Sequence, residues 1–207
     1  MRKALLYLVV VTNFVGCNSK KKGNNEPEEP KLFPVVSFIK SQVAQVDTSL
    51  FSIIRINVNE NGVNDTTHHR REEFRELAVD FMNMPDLTDE DFEGRYTKES
   101  IFDESMNRLI ITMLPKEASG EEIQRQEVVI RPDPTGDRVT SIIVDWVRNN
   151  RDSAVHKKML WQVDESFQVT TIKQLKAQPE TTNTFRVVWN EPPPEPEFPG
   201  EENKENE

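Results

Sequence analysis

The apolar residues of this chain follow two different periods, and both lie within residues 32–190. Before about residue 105 the apolar spacing is helical, and after it apolar and polar residues alternate. Helical spacing buries one stripe of a helix, whereas alternation buries one face of a strand. The chain must therefore combine a few helices with an extended sheet in a single domain.

Two helices are predicted by the first period. The first has apolar positions at Val36, Ile39, Val43 and Val46 and spans about a dozen residues. The second has apolar positions at Phe74, Leu77, Ala78, Phe81 and Met82. Pro85 follows this second stripe, and a helix ends at or before the residue that precedes a proline.

One strand is predicted at 50–58, and the later alternation predicts six more. The six lie at 107–114, 124–131, 138–147, 155–163, 167–175 and 184–190. Their short, turn-rich connections favour antiparallel neighbours. We therefore expect an α+β fold, with two or three N-terminal helices packed on a curved antiparallel meander of about six or seven strands.

Three tryptophans fall within the late strands, at Trp146, Trp161 and Trp189. Large aromatic side chains dominate the energetics of protein cores, so we expect all three to fill the space between helices and sheet. An aromatic ligand pocket is the alternative that the sequence leaves open.

The N-terminus has the pattern of a targeting segment. A basic start is followed by eight apolar residues at 4–11, too few for the roughly 20 that span a bilayer. Phe14-Val15-Gly16-Cys17 then resembles the lipobox of bacterial lipoproteins. The resemblance implies that residues 1–16 are a cleaved signal peptide and that Cys17 is lipidated. An ordinary cleaved signal with an incidental cysteine is the alternative.

The same resemblance implies a location. Asn18, rather than Asp, follows the cysteine, as in lipoproteins sorted to the outer membrane. We expect a palmitate-bearing anchor in the outer membrane with the domain facing the periplasm, the cell surface being the alternative. Residues 17–31 then form the lipidated cysteine and a disordered tether, and residues 191–207 a disordered tail rich in proline and glutamate.

Charge and cysteine content exclude two classes of protein. The formal net charge is −10, which argues against a nucleic-acid partner because phosphate contacts need concentrated positive charge. A single cysteine excludes an internal disulfide framework.

One segment is similar to the start of an EF-hand calcium loop. Asp89, Asp91 and Glu93 occupy its first, third and fifth positions, and Gly94 its sixth. The twelfth position, which should supply a bidentate Glu, is Ser100. We therefore expect a short helix ended by Gly94 and no bound metal.

Chemistry elsewhere is sparse. His68 and His69 are adjacent, so their rings project in different directions and cannot easily share one metal, and His156 is remote in sequence. We expect a non-catalytic binding or interaction domain that is monomeric and carries no cofactor. Its expected partners are the membrane, through the anchor, and an envelope protein or small ligand. A periplasmic, hydrolase-like enzyme with a carboxylate-based site is the alternative.

Overall fold

Nine strands pair in one antiparallel sheet in the computed structural model, which describes residues 32–50, 52–58 and 64–190. The strands are β1 (Ile53–Val58), β2 (Asn64–His69), β3 (Tyr96–Asp103), β4 (Arg108–Pro115), β5 (Ile123–Arg131), β6 (Arg138–Asn149), β7 (Ser153–Gln162), β8 (Ser166–Leu175) and β9 (Thr181–Val188). Their order is β2-β1-β9-β8-β7-β6-β5-β4-β3. An unbroken meander from β3 to β9 is thus extended, beside β9, by the N-terminal hairpin.

Tight turns join the strands of the meander. Asn107 and Asp164 lie in the β3–β4 and β7–β8 turns with φ of 49° and 63°. Asn and Asp tolerate this left-handed region better than most residues because their short polar side chains can hydrogen-bond locally. Such short connections leave no room for crossover helices, so every neighbouring pair is antiparallel.

Three helices precede the meander: α1 (Val35–Val46), α2 (Phe74–Leu77) and α3 (Val79–Met82). The twelve residues of α1 bury the predicted apolar stripe, so the first helix is confirmed. The second predicted helix is instead divided at Ala78, whose φ of −88° and ψ of 7° lie outside the helical range. Short helices are marginal on their own, so packing against the sheet decides their geometry.

The core lies on one face of the sheet, which we call the helix-covered face. Cross-strand register places Ile142, Trp161, Phe167 and Val187 in one row on this face. Phe74 packs over them from α2, with its ring 6.0 to 6.5 Å from those of Phe167 and Trp161. All five side chains are at most 1% exposed, so helices and sheet share one dry core.

The expected fold class is wrong: the described chain is mainly β, with nine strands and only one helix longer than a single turn. The six late strands and the strand near residue 53 are present. The two strands that were missed are β2 and β3, which lie at the edges of the sheet. An edge strand needs little burial, so its sequence lacks the apolar alternation that reveals a central strand.

Candidate functional site

Two cavities meet along α3 and form a groove between that helix and the sheet. The inner cavity has about 150 Å³ and the outer cleft about 590 Å³. The inner lining includes Asp80, Met84, Trp146, Arg148, Lys157 and Met159. The outer lining includes Arg55, His69, Glu73, Glu76, Leu77 and Phe185. Val79 and Asp80 line both, so the two cavities are continuous and form one feature, the α3 groove.

A buried aromatic side chain holds α3 in place beside this groove. Phe81 is fully buried, with its ring 5.2 Å from that of Trp161 and 5.4 Å from that of Phe167. Consecutive helical residues project about 100° apart, so Val79 and Asp80 cannot follow Phe81 into the core. Val79 stays 43% exposed and lines the groove with Asp80.

The opposite wall of the inner cavity is a continuation of the core row along β6 and β7. Trp146 lies opposite Lys157 on the same face as Val144, which lies opposite Met159. Val144 and Met159 are buried, whereas Trp146 and Lys157 are half-buried. The face that is dry at its centre therefore becomes polar toward the end of these strands.

Charged groups surround the indole of Trp146. The Arg148 guanidinium carbon and the Lys157 ammonium nitrogen lie 4.8 and 5.3 Å from the ring centroid. The indole N–H donates to Glu122 Oε2 at 3.2 Å, and Arg148 Nε donates to Glu122 Oε1 at 2.8 Å. Lys157 is also ion-paired with Asp80 of α3. Trp146 is thereby held in place by its hydrogen bond to Glu122, with two cations against its ring.

The outer cleft repeats this pairing of an aromatic ring with a cation. The Arg55 guanidinium carbon lies 4.3 Å from the centroid of the Phe185 ring. His69 Nδ1 lies 2.8 Å from Glu73 Oε2, and the Arg70 backbone N–H donates to the same oxygen at 3.3 Å. The outer cleft therefore offers an aromatic surface, a cation and a carboxylate.

Two groups of the groove have resolved pKa shifts, and both shifts favour the charged form. The hydrogen bond from His69 lowers the pKa of Glu73, with the Arg70 backbone N–H as the next cause. The hydrogen bond to Glu122 raises the pKa of Arg148. Proton transfer at neutral pH needs the opposite tuning, with a pKa moved toward 7.

Cys17, the predicted lipidation site, lies outside the described residues. Asp89, Asp91 and Glu93 are exposed around a 3₁₀ turn at Glu90–Phe92, and Gly94 follows with φ of 72°. Ser100 lies in β3, because the chain leaves this turn directly as a strand. Within 32–50, 52–58 and 64–190, no three His, Cys, Asp or Glu side chains are placed to hold a metal ion.

The three histidines are separated. His68 and His69 occupy successive positions of β2 and so point to opposite faces. His69 joins the α3 groove through Glu73, whereas His156 Nε2 lies 3.9 Å from Asp145 Oδ1 on the other face of the sheet. The sequence did not assign His69 to any site, since its partner is fixed only by the fold.

The prediction that all three tryptophans fill the core is right for two of them. Trp161 and Trp189 are 0% and 4% exposed, but Trp146 is half-buried at the groove. One signal could have found this position: Trp146 and Arg148 are two apart near the end of a predicted strand, so they share a face. Lys157 and Asp80 carry no comparable signal, because they meet only through packing.

No helix within the described residues is long and apolar enough to cross a membrane. Comparisons with protein-family models, with curated proteins and with solved structures found no match for this chain.

Proposed function

We propose that this chain is a bacterial envelope lipoprotein whose folded domain binds a partner or small ligand in the α3 groove without catalysing a reaction. The observation that carries the binding role is the setting of Trp146, half-buried in an open groove that Asp80 also lines, with two cations against its ring. The anchor is supported by the leader and by Cys17 in its lipobox-like context.

The charges of the groove support binding over catalysis. Asp80 is paired with Lys157, Glu122 with Arg148, and Glu73 with His69. The pKa of Glu73 is lowered, chiefly by its hydrogen bond with His69, and a carboxyl group stabilised in its ionised form is a poor general acid at neutral pH. The alternative of a carboxylate-based hydrolase therefore gains no support from Glu73, and Asp80 and Glu122 are both engaged in ion pairs.

The same charges indicate what kind of ligand would fit. Arg55, Arg148 and Lys157 line the groove together with Glu73, Glu76 and Asp80. Both signs are present in equal number, so a strongly anionic or cationic ligand would meet repulsion as well as attraction. A ligand that carries both charges and a planar or apolar group matches this lining better.

Lipidation at Cys17 would place the domain at the outer membrane, facing the periplasm, on the 17–31 tether. Two or more acyl chains anchor a protein stably, whereas one chain binds only marginally. Replacing Cys17 with Ser should abolish palmitate labelling and move the protein to the aqueous phase on detergent partitioning. Ser19→Ala is the matched control and should remain labelled. Labelling that persists in the Cys17 variant would refute the anchor.

The binding role can be tested by placing a photo-reactive amino acid at Val79, which borders both halves of the groove. Irradiation of cells should give a specific adduct, identified by mass spectrometry. The same residue at Leu50, which is 90% exposed and does not line the groove, is the matched control.

The adduct should be lost in a Trp146→Ala, Lys157→Ala background if the groove holds the ligand. An adduct that survives this double change, or that forms equally from position 50, would contradict the proposal. Turnover of an ester, peptide or glycoside by the purified chain, abolished by Asp80→Asn, would favour the enzyme instead.

A further inference from the structure

Strand β3 ends the sheet, and within the described residues its only strand partner is β4. Its hairpin with β4 exposes three large apolar side chains. Ile101 is 64% exposed, Phe102 50% and Met106 61%. A long edge strand offers unpaired backbone groups to another chain, and exposed apolar side chains make that pairing more favourable.

Geometry restricts how two copies of β3 could pair. Two antiparallel copies related by a two-fold axis form one continuous sheet only if each face of one sheet continues into the same face of the other. Each residue must therefore lie opposite a residue on its own face. Ser100 shares the helix-covered face with Trp161, through Ile111, Val128 and Ile142, and its neighbours Glu99 and Ile101 lie on the other face. The axis must then lie midway between one residue and its own copy, so that this residue is directly opposite itself. We call this an axis at that residue.

Among the registers in which at least five residues of β3 overlap, charge selects one. An axis at Glu99 puts two glutamates directly opposite each other, and an axis at Ile101 puts Glu99 opposite Asp103. An axis at Lys98 puts two ammonium groups together. Like charges directly opposite destabilise a strand pair.

An axis at Ser100 avoids every one of these conflicts. It places Ser100 opposite its own copy, Glu99 opposite Ile101, Lys98 opposite Phe102 and Thr97 opposite Asp103. The apolar stem of Lys98 can then cover the Phe102 ring, and the pairing of uncharged Thr97 with Asp103 brings no like charges together. Seven of the eight residues of β3 take part in this overlap.

We propose that β3 is a self-association edge, at which a second copy of this chain pairs antiparallel about Ser100. A single strand pair buries little area, which is typical of weak and reversible complexes. The proposal revises the monomer expected from the sequence to a monomer in equilibrium with a dimer.

A lipid surface is the main competing occupant for the exposed apolar residues, and the chemistry of the hairpin tip opposes it. Asp103 and Glu104 lie between Phe102 and Met106. Hydrogen bonds from the Ser105 hydroxyl and the Met106 backbone N–H lower the pKa of Asp103 and keep it ionised. Inserting the tip would therefore carry charged carboxylates toward anionic headgroups and hydrocarbon.

The mature chain with Cys17→Ser, which has no other cysteine, is the material for the test. Sedimentation over a broad concentration range should show reversible dimerisation. Ile101→Glu places a carboxylate opposite Glu99 and should weaken dimerisation about tenfold or more. Leu50→Glu is the matched control, since Leu50 is exposed away from β3, and should dimerise as the parent does.

Charge reversal tests the register itself. Adding Glu99→Lys to Ile101→Glu creates two lysine–glutamate pairs across the interface only when the axis is at Ser100. This double variant should regain the dimer that the single variant loses. A parent chain that is monomeric at every concentration, or a dimer indifferent to Ile101→Glu, would overturn the proposal. If Ile101→Glu loses the dimer and the added Glu99→Lys does not restore it, the register about Ser100 is wrong.

Disulfide formation gives a second, independent readout. Directly opposite residues in an antiparallel pair have Cα atoms about 4.5 to 5.5 Å apart, which a disulfide can bridge. In the Cys17→Ser background, Ser100→Cys should therefore form a covalent dimer under mild oxidation. Thr97→Cys is the control, because its own copy lies six residues along the strand, about 20 Å away. Equal crosslinking of the two variants would contradict pairing about Ser100.

Discussion

Two tryptophans on the same face of neighbouring strands have opposite surroundings. Trp161 of β7 is fully buried and stacks on Phe167 at 5.3 Å, and its indole nitrogen has no acceptor among the described residues. Trp146 of β6 is half-buried, donates to Glu122 and has two cations against its ring. Trp161 is packed in the core and leaves its N–H donor unpaired, whereas Trp146 keeps its polar contacts in an open groove.

The difference teaches that position along the strand, rather than residue type, decides the role. Ile142, which pairs with Trp161, and Trp146 are four residues apart on β6 and so lie about 13 Å apart along the strand. Over that distance, cover from Phe74 and Phe81 gives way to the groove at Val79 and Asp80. The same alternation therefore builds a dry core at one place and the wall of an open groove at the other.

The largest expected effect is that of removing each indole in turn. Trp161→Ala should reduce the free energy of unfolding by about 3 to 5 kcal/mol, because it leaves a cavity in a fully packed cluster. Trp146→Ala should cost less, about 1 to 2 kcal/mol, since part of its surface is already in water. Urea denaturation followed by circular dichroism measures both. Equal losses would mean that the groove is as tightly packed as the core.

A buried polar side chain on the helix-covered face can be compared in the same way with one on the other face. Gln126 is 4% exposed, lies opposite Val144, and its Oε1 has no partner among the described residues. Gln126→Leu should raise the free energy of unfolding by about 1 kcal/mol, because it removes a desolvated oxygen from an apolar row. Gln168→Leu, on the other face, is the control and should change stability by less than about 0.5 kcal/mol. A destabilised Gln126 variant would show that this amide has a favourable contact.

Ion pairs of the groove should show a smaller effect that depends on depth. A double-mutant cycle on Asp80 and Lys157, each about a quarter exposed, should give a coupling of about 0.5 to 1 kcal/mol in low salt. The coupling between Glu122 and Arg148, which is 61% exposed, should be smaller. Added salt should reduce both couplings. A larger coupling energy for Glu122 and Arg148 than for Asp80 and Lys157 would indicate that burial does not determine the strength of these ion pairs.

The smallest expected effect is the pH response of Glu73. Its pKa in the folded state lies below its ordinary value of 4.5, chiefly because of His69. Its stabilising contribution is thus present above about pH 4.5 and is lost as the pH falls through the folded pKa. Glu73→Gln should lower stability near neutral pH and flatten the decline in urea midpoints between about pH 5 and pH 3. His69→Ala should reproduce most of this change, and an unaltered acid decline in both variants would refute the assignment.

Local patterns predicted what is buried, and missed what is exposed or paired at a distance. Helix α1 and seven of the strands follow from apolar spacing. Strand β2 is entirely polar, so no pattern marks it, and β3 becomes recognisable as a strand only by pairing with β4. The calcium-like segment shows how little half a motif establishes, since its run of acids is followed directly by a strand.

Most of the candidate site could not be predicted from the sequence, for a related reason. Asp80 and Lys157 are 77 residues apart and form an ion pair only because α3 lies against β7. Trp146 was noticed, but its role depends on where the helices stop covering the sheet. The sequence alone cannot supply this boundary, because it arises from the packing of Phe74 and Phe81.

By itself the sequence determined that apolar residues alternate over strands long enough to form an antiparallel meander, and that one helical stripe precedes them. Burial on a strand or helix has a fixed period, so this information is local and survives in the order of residues. Only the tertiary structure decided which strands lie at the edges, where the α3 groove opens and which charges meet in it. Those features depend on residues that are distant in the chain and become neighbours only when the sheet and helices pack.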